Sequence, residues 1–344
     1  EEEEEEENES SDADAGDADS GESVPFNGQN VSGDFNSSYD LSVSSNNACA
    51  VDDNGIACWG DLVGMSTYRQ TTSLYQSPKS LSVGGPWGCV IDDGEVKCWG
   101  TSFDGAAEVP ELSNPVAVDT EANVSCAIHD GGVKCWGNSD NGILEVPSLI
   151  NPSEIALGFN NACAIDETGI VCWGAEDSGT AQGLPDLENP YNITLGKFHA
   201  CAMDSGRVFC WGNGFNERNV FNQPNNTSNQ PDLVNPRQIS AGGSHVCALD
   251  DVGVKCWGED RGQLEVPELK NPTKIAAGYD NATCAIDDEG LKCWGRGNGQ
   301  GTESPIVQEL PTDLSFTSAS KRVVTQYLQT TSASQNITTL DVVN

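Results

Sequence analysis

The chain has 344 residues, with 16 Lys+Arg against 53 Asp+Glu and a formal charge of −37. Such a balance excludes the usual nucleic-acid binder, which needs basic side chains to displace counterions from phosphate, and it disfavours anionic membrane surfaces. No run approaches the ~18 apolar residues of a spanning helix, so direct membrane insertion of this segment is not expected.

Residues 1–22 carry 13 acids and no base, a self-repelling run expected to be a disordered spacer. Removing it leaves 40 acids against 16 bases, so the body is acidic in its own right. Residues 23–40 read as a lead-in. From residue 41 to 311 one unit recurs seven times, each with two cysteines nine positions apart and Trp-Gly after the second. The units run from CAVDDNGIACWG at Cys49 to CAIDDEGLKCWG at Cys284, with first cysteines 37 to 46 residues apart. Most are preceded by Asn-Pro or Ser-Pro and a short strand. Residues 312–344 read as a degenerate partial repeat followed by a Ser/Thr-rich tail. Either Leu310–Leu328 or Val24–Phe35 is available as a ring-closing strand.

Within a unit, alternation places Cys89, Ile91, Val96 and Cys98 on one face and Val90, Lys97 and Trp99 on the other. Asp93-Gly94 and Asp130-Gly131 suit two-residue type I′ turns, and the Asp-x-x-Gly versions suit bulged turns. The two cysteines of a unit then face each other across an antiparallel pair, within reach of a disulfide. The predicted bridges are Cys49–Cys58, Cys89–Cys98, Cys126–Cys135, Cys163–Cys172, Cys201–Cys210, Cys247–Cys256 and Cys284–Cys293. Closing a ten-residue loop is worth about 2.7 kcal/mol on the loop-entropy account, and less in a preformed hairpin. A zinc site needs four ligands and each pair supplies two, so no metal is expected. An even cysteine count points to an oxidising compartment.

A hairpin of this size cannot bury its own faces. About 37 residues with four short strands matches a propeller blade, so the fold predicted is an all-β, seven-bladed β-propeller with one hairpin disulfide per blade. Trp59, Trp99, Trp136, Trp173, Trp211, Trp257 and Trp294 are expected between blades. Lys97, Lys134, Lys255 and Lys292 are expected to lay their stems along neighbouring indoles.

GGSHVCALDDVGVKCWGEDRGQLEVPEL, from Gly242, closely resembles the repeat of the regulator of chromosome condensation family, with its Gly-x-x-His-x-Cys opening, Cys-Trp-Gly centre and Gly-Gln-Leu close. The likeness covers residues 41–311 and is nearest to short, cysteine-paired repeats of prokaryotic secreted and surface proteins. It implies a seven-bladed propeller. The eukaryotic namesake is an exchange factor for a small GTPase, and another relative binds an enzyme through one propeller rim.

Departures from the repeat mark candidate binding loops. The fifth unit carries an insertion within Asn213–Leu233, holding Phe215, Arg218 and Phe221, and the first carries Gly64–Gln76, with Tyr68, Arg69 and Tyr75 expected to be exposed. Three histidines, His129, His199 and His245, make no catalytic set, and no hydrolase, metalloprotease or P-loop motif occurs. Acidic pairs at the hairpin tips are read as turn chemistry. Besides Asn8, sequons at Asn30, Asn36, Asn123, Asn192, Asn225, Asn226, Asn281 and Asn336 are glycosylation candidates. The reading is a monomeric, non-enzymatic scaffold without cofactor, outside the cell or on its surface and anchored through a preceding segment. Its rim loops would bind a protein or glycan. The alternatives are an enzyme with a site in the central channel and a guanine-nucleotide exchange factor.

Overall fold

The computed structural model describes residues 39–316, apart from 63–64, 72–74, 76, 102–103, 139, 176–179, 182, 213–229, 296–303 and 309; for 61–62, 65–71 and 305 it describes the backbone only. Seven antiparallel sheets follow one another along the chain, each built from consecutive strands. The inner strands are Asp40–Val43, Lys79–Val83, Pro115–Glu121, Glu154–Leu157, Tyr191–Leu195, Gln238–Ala241 and Lys274–Ala277. All seven line one central cavity, so the fold is a seven-bladed β-propeller.

Each inner strand turns into a middle strand, which hairpins into a third. In every blade the two cysteines are directly opposed, as in Cys163↔Cys172 and Cys247↔Cys256. All seven pairs are bonded, with Cα atoms 4.0–4.1 Å apart, and no described cysteine is free. Asp93 and Gly94 at the second tip have φ of 53° and 78°, as a type I′ turn requires. The Gly of each Cys-Trp-Gly is also fixed by geometry. Gly174 has φ 102°, and a Cβ there would lie 2.5 Å from the Asn160 carbonyl oxygen, so no other residue fits without moving backbone.

The two faces of a blade are covered by its neighbours. Trp173 packs on the Cys126–Cys135 bridge of the preceding blade, Trp211 on Cys163–Cys172 and Trp257 on Cys201–Cys210. The same pairing joins Trp99 to the first bridge, Trp136 to the second and Trp294 to the sixth, and Trp59 closes the circle on the seventh. Among the described residues five indoles also donate to a carbonyl of the preceding blade's closing loop, as Trp173 does to Ile143 (2.8 Å) and Trp211 to Thr180 (2.9 Å). Trp59 reaches Ile306 (3.0 Å), so residues beyond the seventh blade cover the first. Ser315 reinforces that seam by donating its amide to Asp52 (2.9 Å), beside the edge-to-face contact of Tyr39 with Phe316.

The hairpin tips clasp the loop that precedes each inner strand. The first tip acid, buried in six blades, accepts an amide from that loop in five, including Ser77 to Asp92 (2.7 Å), Ile150 to Asp166 (2.8 Å), Val234 to Asp250 (2.9 Å) and Lys270 to Asp287 (2.8 Å), while in the first blade Ser315 takes the place of the loop at Asp52. The second tip acid receives the side chain of the Asn in Asn-Pro, as Asn235 to Asp251 (2.9 Å) and Asn151 to Glu167 (2.7 Å). These asparagines adopt φ near 50°, a left-handed conformation that Asn tolerates better than most residues. Burial opposes ionisation of Asp250. Lys255 and the amides of Val234, Val252 and Gly253 outweigh it and hold the carboxyl below its ordinary value.

Three expectations are corrected. Blades two to seven have three strands among the described residues; only the first has a fourth, Met65–Thr71. After Trp-Gly the described residues of the other blades form no further strand, and prolines such as Pro110, Pro147 and Pro267 supply no donor for a ladder. The ammonium groups of Lys97, Lys255 and Lys292 turn to acids of their own hairpins, reaching back to the buried tip acids Asp92, Asp250 and Asp287 at 2.7–2.9 Å. A buried carboxylate attracts an ammonium more strongly than a ring face does. Tyr75 is not exposed; it is buried against the first disulfide, since its ring fills the gap between the first two blades.

Trp173→Phe removes the indole donor and leaves the buried Ile143 carbonyl unpaired. The expected loss is about 1–3 kcal/mol of unfolding free energy, read as a lower urea midpoint under oxidising conditions.

Candidate functional site

The inner strand of each blade exposes unpaired amides toward the axis, which in an open sheet would invite other strands. Polar side chains at alternate positions of the preceding blade capture them. Asp40 and Ser42 accept from Leu81 and Val83 (2.9 and 3.0 Å), and Ser80 and Ser82 from Val118 and Thr120 (2.9 and 3.0 Å). Asp119 accepts from Leu157 (2.7 Å), and Glu154 holds the amides of Asn192 and Ile193 together (both 2.9 Å). Asn192 and Thr194 take Ile239 and Ala241, and Gln238 and Ser240 take Ile275 and Ala277. At the seventh interface the positions hold Lys274 and Ala276, and the link is instead the Lys274–Asp40 ion pair (3.6 Å) with Tyr279 N–H to Ser44 (3.3 Å).

Inside this belt lies a cavity of about 320 Å³, walled by hydroxyls, carboxyls and short aliphatic side chains. At the end where inner strands turn into middle strands stand Glu121 of the third blade and Tyr279 of the seventh. Burial pushes the Glu121 carboxyl up to about 8, helped by Asp119 and, more weakly, Asp280, against the Ala122 amide. Burial also raises Asp119 against its bonds from Ser82, Leu157 and Thr120, and Glu154 against its two amides. The Tyr279 hydroxyl is pushed up by burial, then by Glu121 and Asp280. Above it, Phe159 is 42% exposed and stacks on Tyr279 (centroids 5.9 Å, 29°). Lys197 Nζ lies over the Phe159, Phe198 and Tyr279 rings at 5.3, 5.5 and 5.9 Å.

The two repeat-position histidines lie near this end. His199 and His245 are buried, each tucked against its own turn glycine, Gly196 or Gly242. His245 Nε2 meets Thr283 Oγ1 at 2.8 Å. Burial drives His199 down to about 4, and burial with His199 nearby drives His245 down to about 3. Both are neutral packing groups at neutral pH.

The residues singled out from sequence are not brought together here. The backbone of Tyr68 and Arg69 lies opposite Cys58 and Ala57 on the fourth strand of blade one. Phe215, Arg218 and Phe221 lie outside the described residues, as do Asn30, Asn36, Asn225, Asn226 and Asn336. One sequon is corrected: Asn281 is buried, accepting from Ser244 (3.1 Å), and is closed to a glycan in the folded chain, while Asn192 is half-buried with its side-chain oxygen accepting from Ile239 (3.0 Å). Asn123 is partly exposed. The belt itself was missed, although the alternating polar positions of DLSV, SLSV, NITL and QISA carry its signal.

No protein-family model matches the chain, and no curated protein does. Solved structures do match. The CRINKLY WD40 ectodomain of the Arabidopsis thaliana receptor kinase ACR4 is 19% identical with a TM-score of 0.58, over 76% of this chain and 98% of that one. The entire ectodomain of the Physcomitrella patens receptor kinase CR4 is 22% identical at 0.54, over 65% of this chain and 66% of that one. Yeast RCC1 (Prp20), in a structure with Kap60 bound, is 18% identical at 0.51, over 66% and 74%. The chain is thus a disulfide-bonded propeller with an RCC1-like fold.

Two pH responses follow. Glu121 has a folded value raised above its ordinary 4.5, so folding takes up a proton and stability falls as pH rises from about 4.5 to about 8. Glu121→Gln is expected to match the parent near pH 5 and exceed its melting temperature at pH 8.5. The histidines are depressed, so stability falls as pH drops below 6.5 toward 4. His245→Asn, which places there the residue found at Asn47 and Asn161, is expected to flatten that acid limb in the same melting series.

Proposed function

We propose that this chain is a non-enzymatic binding scaffold of the short, cysteine-paired regulator-of-chromosome-condensation type, working outside the cell or at its surface. The observation that carries this reading is the cross-linking pattern. Every described cysteine is paired, and every bridge lies within one blade. Such bridges persist in oxidising compartments and not in the cytosol. They stiffen the hairpins and leave the loops between blades free to vary, and such loops are where repeat proteins usually bind.

Two of the structural neighbours are receptor-kinase ectodomains, which supports the reading by analogy of architecture. The partner is a protein or glycan met by rim loops. The segment Asn213–Leu233, with Phe215, Arg218 and Phe221, and the Tyr68–Arg69 strand of blade one are the contact candidates. Residues 1–22 serve as a charged spacer from an anchoring surface, and residues 41–311 form the binding body.

Intact mass before and after reduction of native material tests the compartment: reduction of seven bridges is expected to raise the mass by about 14 Da, two hydrogens each. Reactive free thiols in native protein would refute it. A pull-down from cell-surface extracts tests the rim. Capture is expected to be lost when residues 213–229 are replaced by a short Gly-Ser linker; unchanged capture removes this loop as the contact.

A further inference from the structure

Most polar groups along the channel are already engaged between blades, which singles out those that are not. Glu121 accepts one hydrogen bond among the described residues, the Ala122 amide at 3.2 Å, and keeps further lone pairs. The Tyr279 phenolic oxygen is buried in the same wall with no hydrogen-bond partner. A buried polar atom left so is costly unless something meets it. These two groups come from opposite parts of the ring, blades three and seven, and they sense each other electrostatically.

The charge around them is unbalanced. Asp119 and Glu121 face the cavity and Asp280 lies near its mouth, yet the cavity wall holds no Lys, Arg or His among the described residues. Lys274 is engaged with Asp40 at the start of its inner strand, the end remote from the turn that bears Tyr279. Lys197 lies outside, over the aromatic rings of the mouth, and shows that Phe159, Phe198 and Tyr279 accommodate an ammonium. A chain of charge −37 draws cations toward such a cleft.

We infer that this mouth of the channel binds a primary ammonium on a flexible aliphatic stem, the side chain of a lysine on a partner protein. The stem passes the Phe159–Tyr279 pair, and the ammonium donates to Glu121 and to the Tyr279 oxygen. A neutral sugar would meet the same hydrogen-bonding groups but gain nothing from the charge of Glu121, which accepts a single amide among the described residues. The identity of the partner rests on the scaffold reading; the chemistry of the site does not. Bound ammonium favours the ionised carboxylate of Glu121, so binding near pH 7 releases a proton from it. Asp119, Asp280, Tyr279, Lys197 and the buried imidazoles of His199 and His245 are the other charged or titratable groups around the site.

Calorimetry on the full chain tests this, with Nα-acetyl-lysine N-methylamide as the probe at pH 7 and low salt, in two buffers of different ionisation heat. The expected result is saturable binding that weakens with added salt, a buffer-dependent heat reporting proton release, and no binding of the Nε-acetylated probe. Glu121→Gln is expected to weaken binding by at least about tenfold, roughly 1.4 kcal/mol, and to abolish the buffer dependence. Tyr279→Phe, which keeps the ring and its stack, is expected to weaken binding severalfold, and it decides the matter if the first variant does not fold. Equal affinity for the acetylated probe, unchanged affinity in Tyr279→Phe, or binding of N-acetylglucosamine with none of the ammonium probe overturns the inference. Each of these leaves the surface-extract capture intact, so failure of the site and failure of the scaffold reading are told apart.

Discussion

A blade of three short strands has two apolar faces and can cover neither alone. The resulting constraint, that each blade be roofed by the next, organises the whole ring. The contact that meets it is one indole laid on the preceding blade's disulfide, repeated seven times and closed by Trp59 on Cys284–Cys293. An indole brings a large apolar area and a single donor, and the donor is satisfied by a carbonyl of the neighbour's closing loop. The disulfide offers a compact, dry partner that cannot rotate away. Hairpin cross-link and blade-to-blade packing are therefore one device.

The polar side chains perform the complementary task on the axis. Seven inner strands present amide edges to a common cavity, and water alone would leave those edges open to other chains. Instead, serines, acids and amides at alternate positions of one blade hold the amides of the next. This directional belt explains why so polar a channel is still a structural element. It also explains why carboxyls such as Asp119 and Glu154 survive there: their cost of burial is offset by amides aimed at them. Glu121 is the exception, and its raised value is the mark of a carboxyl with too few partners.

The acidity of the repeats has a similar origin. The first tip acid tethers the approach to its own blade and, in three blades, binds a lysine from the same hairpin. The second binds the asparagine that starts the inner strand. Two acids side by side thus read as turn residues and also act as clasps to a loop some 16 residues upstream. In the third blade His129 stands at the first position while Asp130 still receives Asn114 (2.9 Å), so the two clasps are separable.

Blade number, hairpin register and cysteine pairing were legible in the sequence because each is set locally. Nine-residue spacing about a turn fixes which atoms oppose, and alternation fixes which face they share. The fourth strand in most blades, the partners of the lysine ammonium groups, an exposed Tyr75 and the sequon at Asn281 were misjudged because each depends on a neighbour. Whether a lysine meets a ring or a carboxylate, and whether an asparagine points to water or into a belt, is decided by what the adjoining blade places there. The channel mouth lies furthest from the reach of sequence. Glu121, Phe159, Lys197 and Tyr279 belong to four different repeats; the last three each follow the turn glycine of their repeat (Gly158, Gly196, Gly278) but differ in chemistry, and only closure of the ring brings them together.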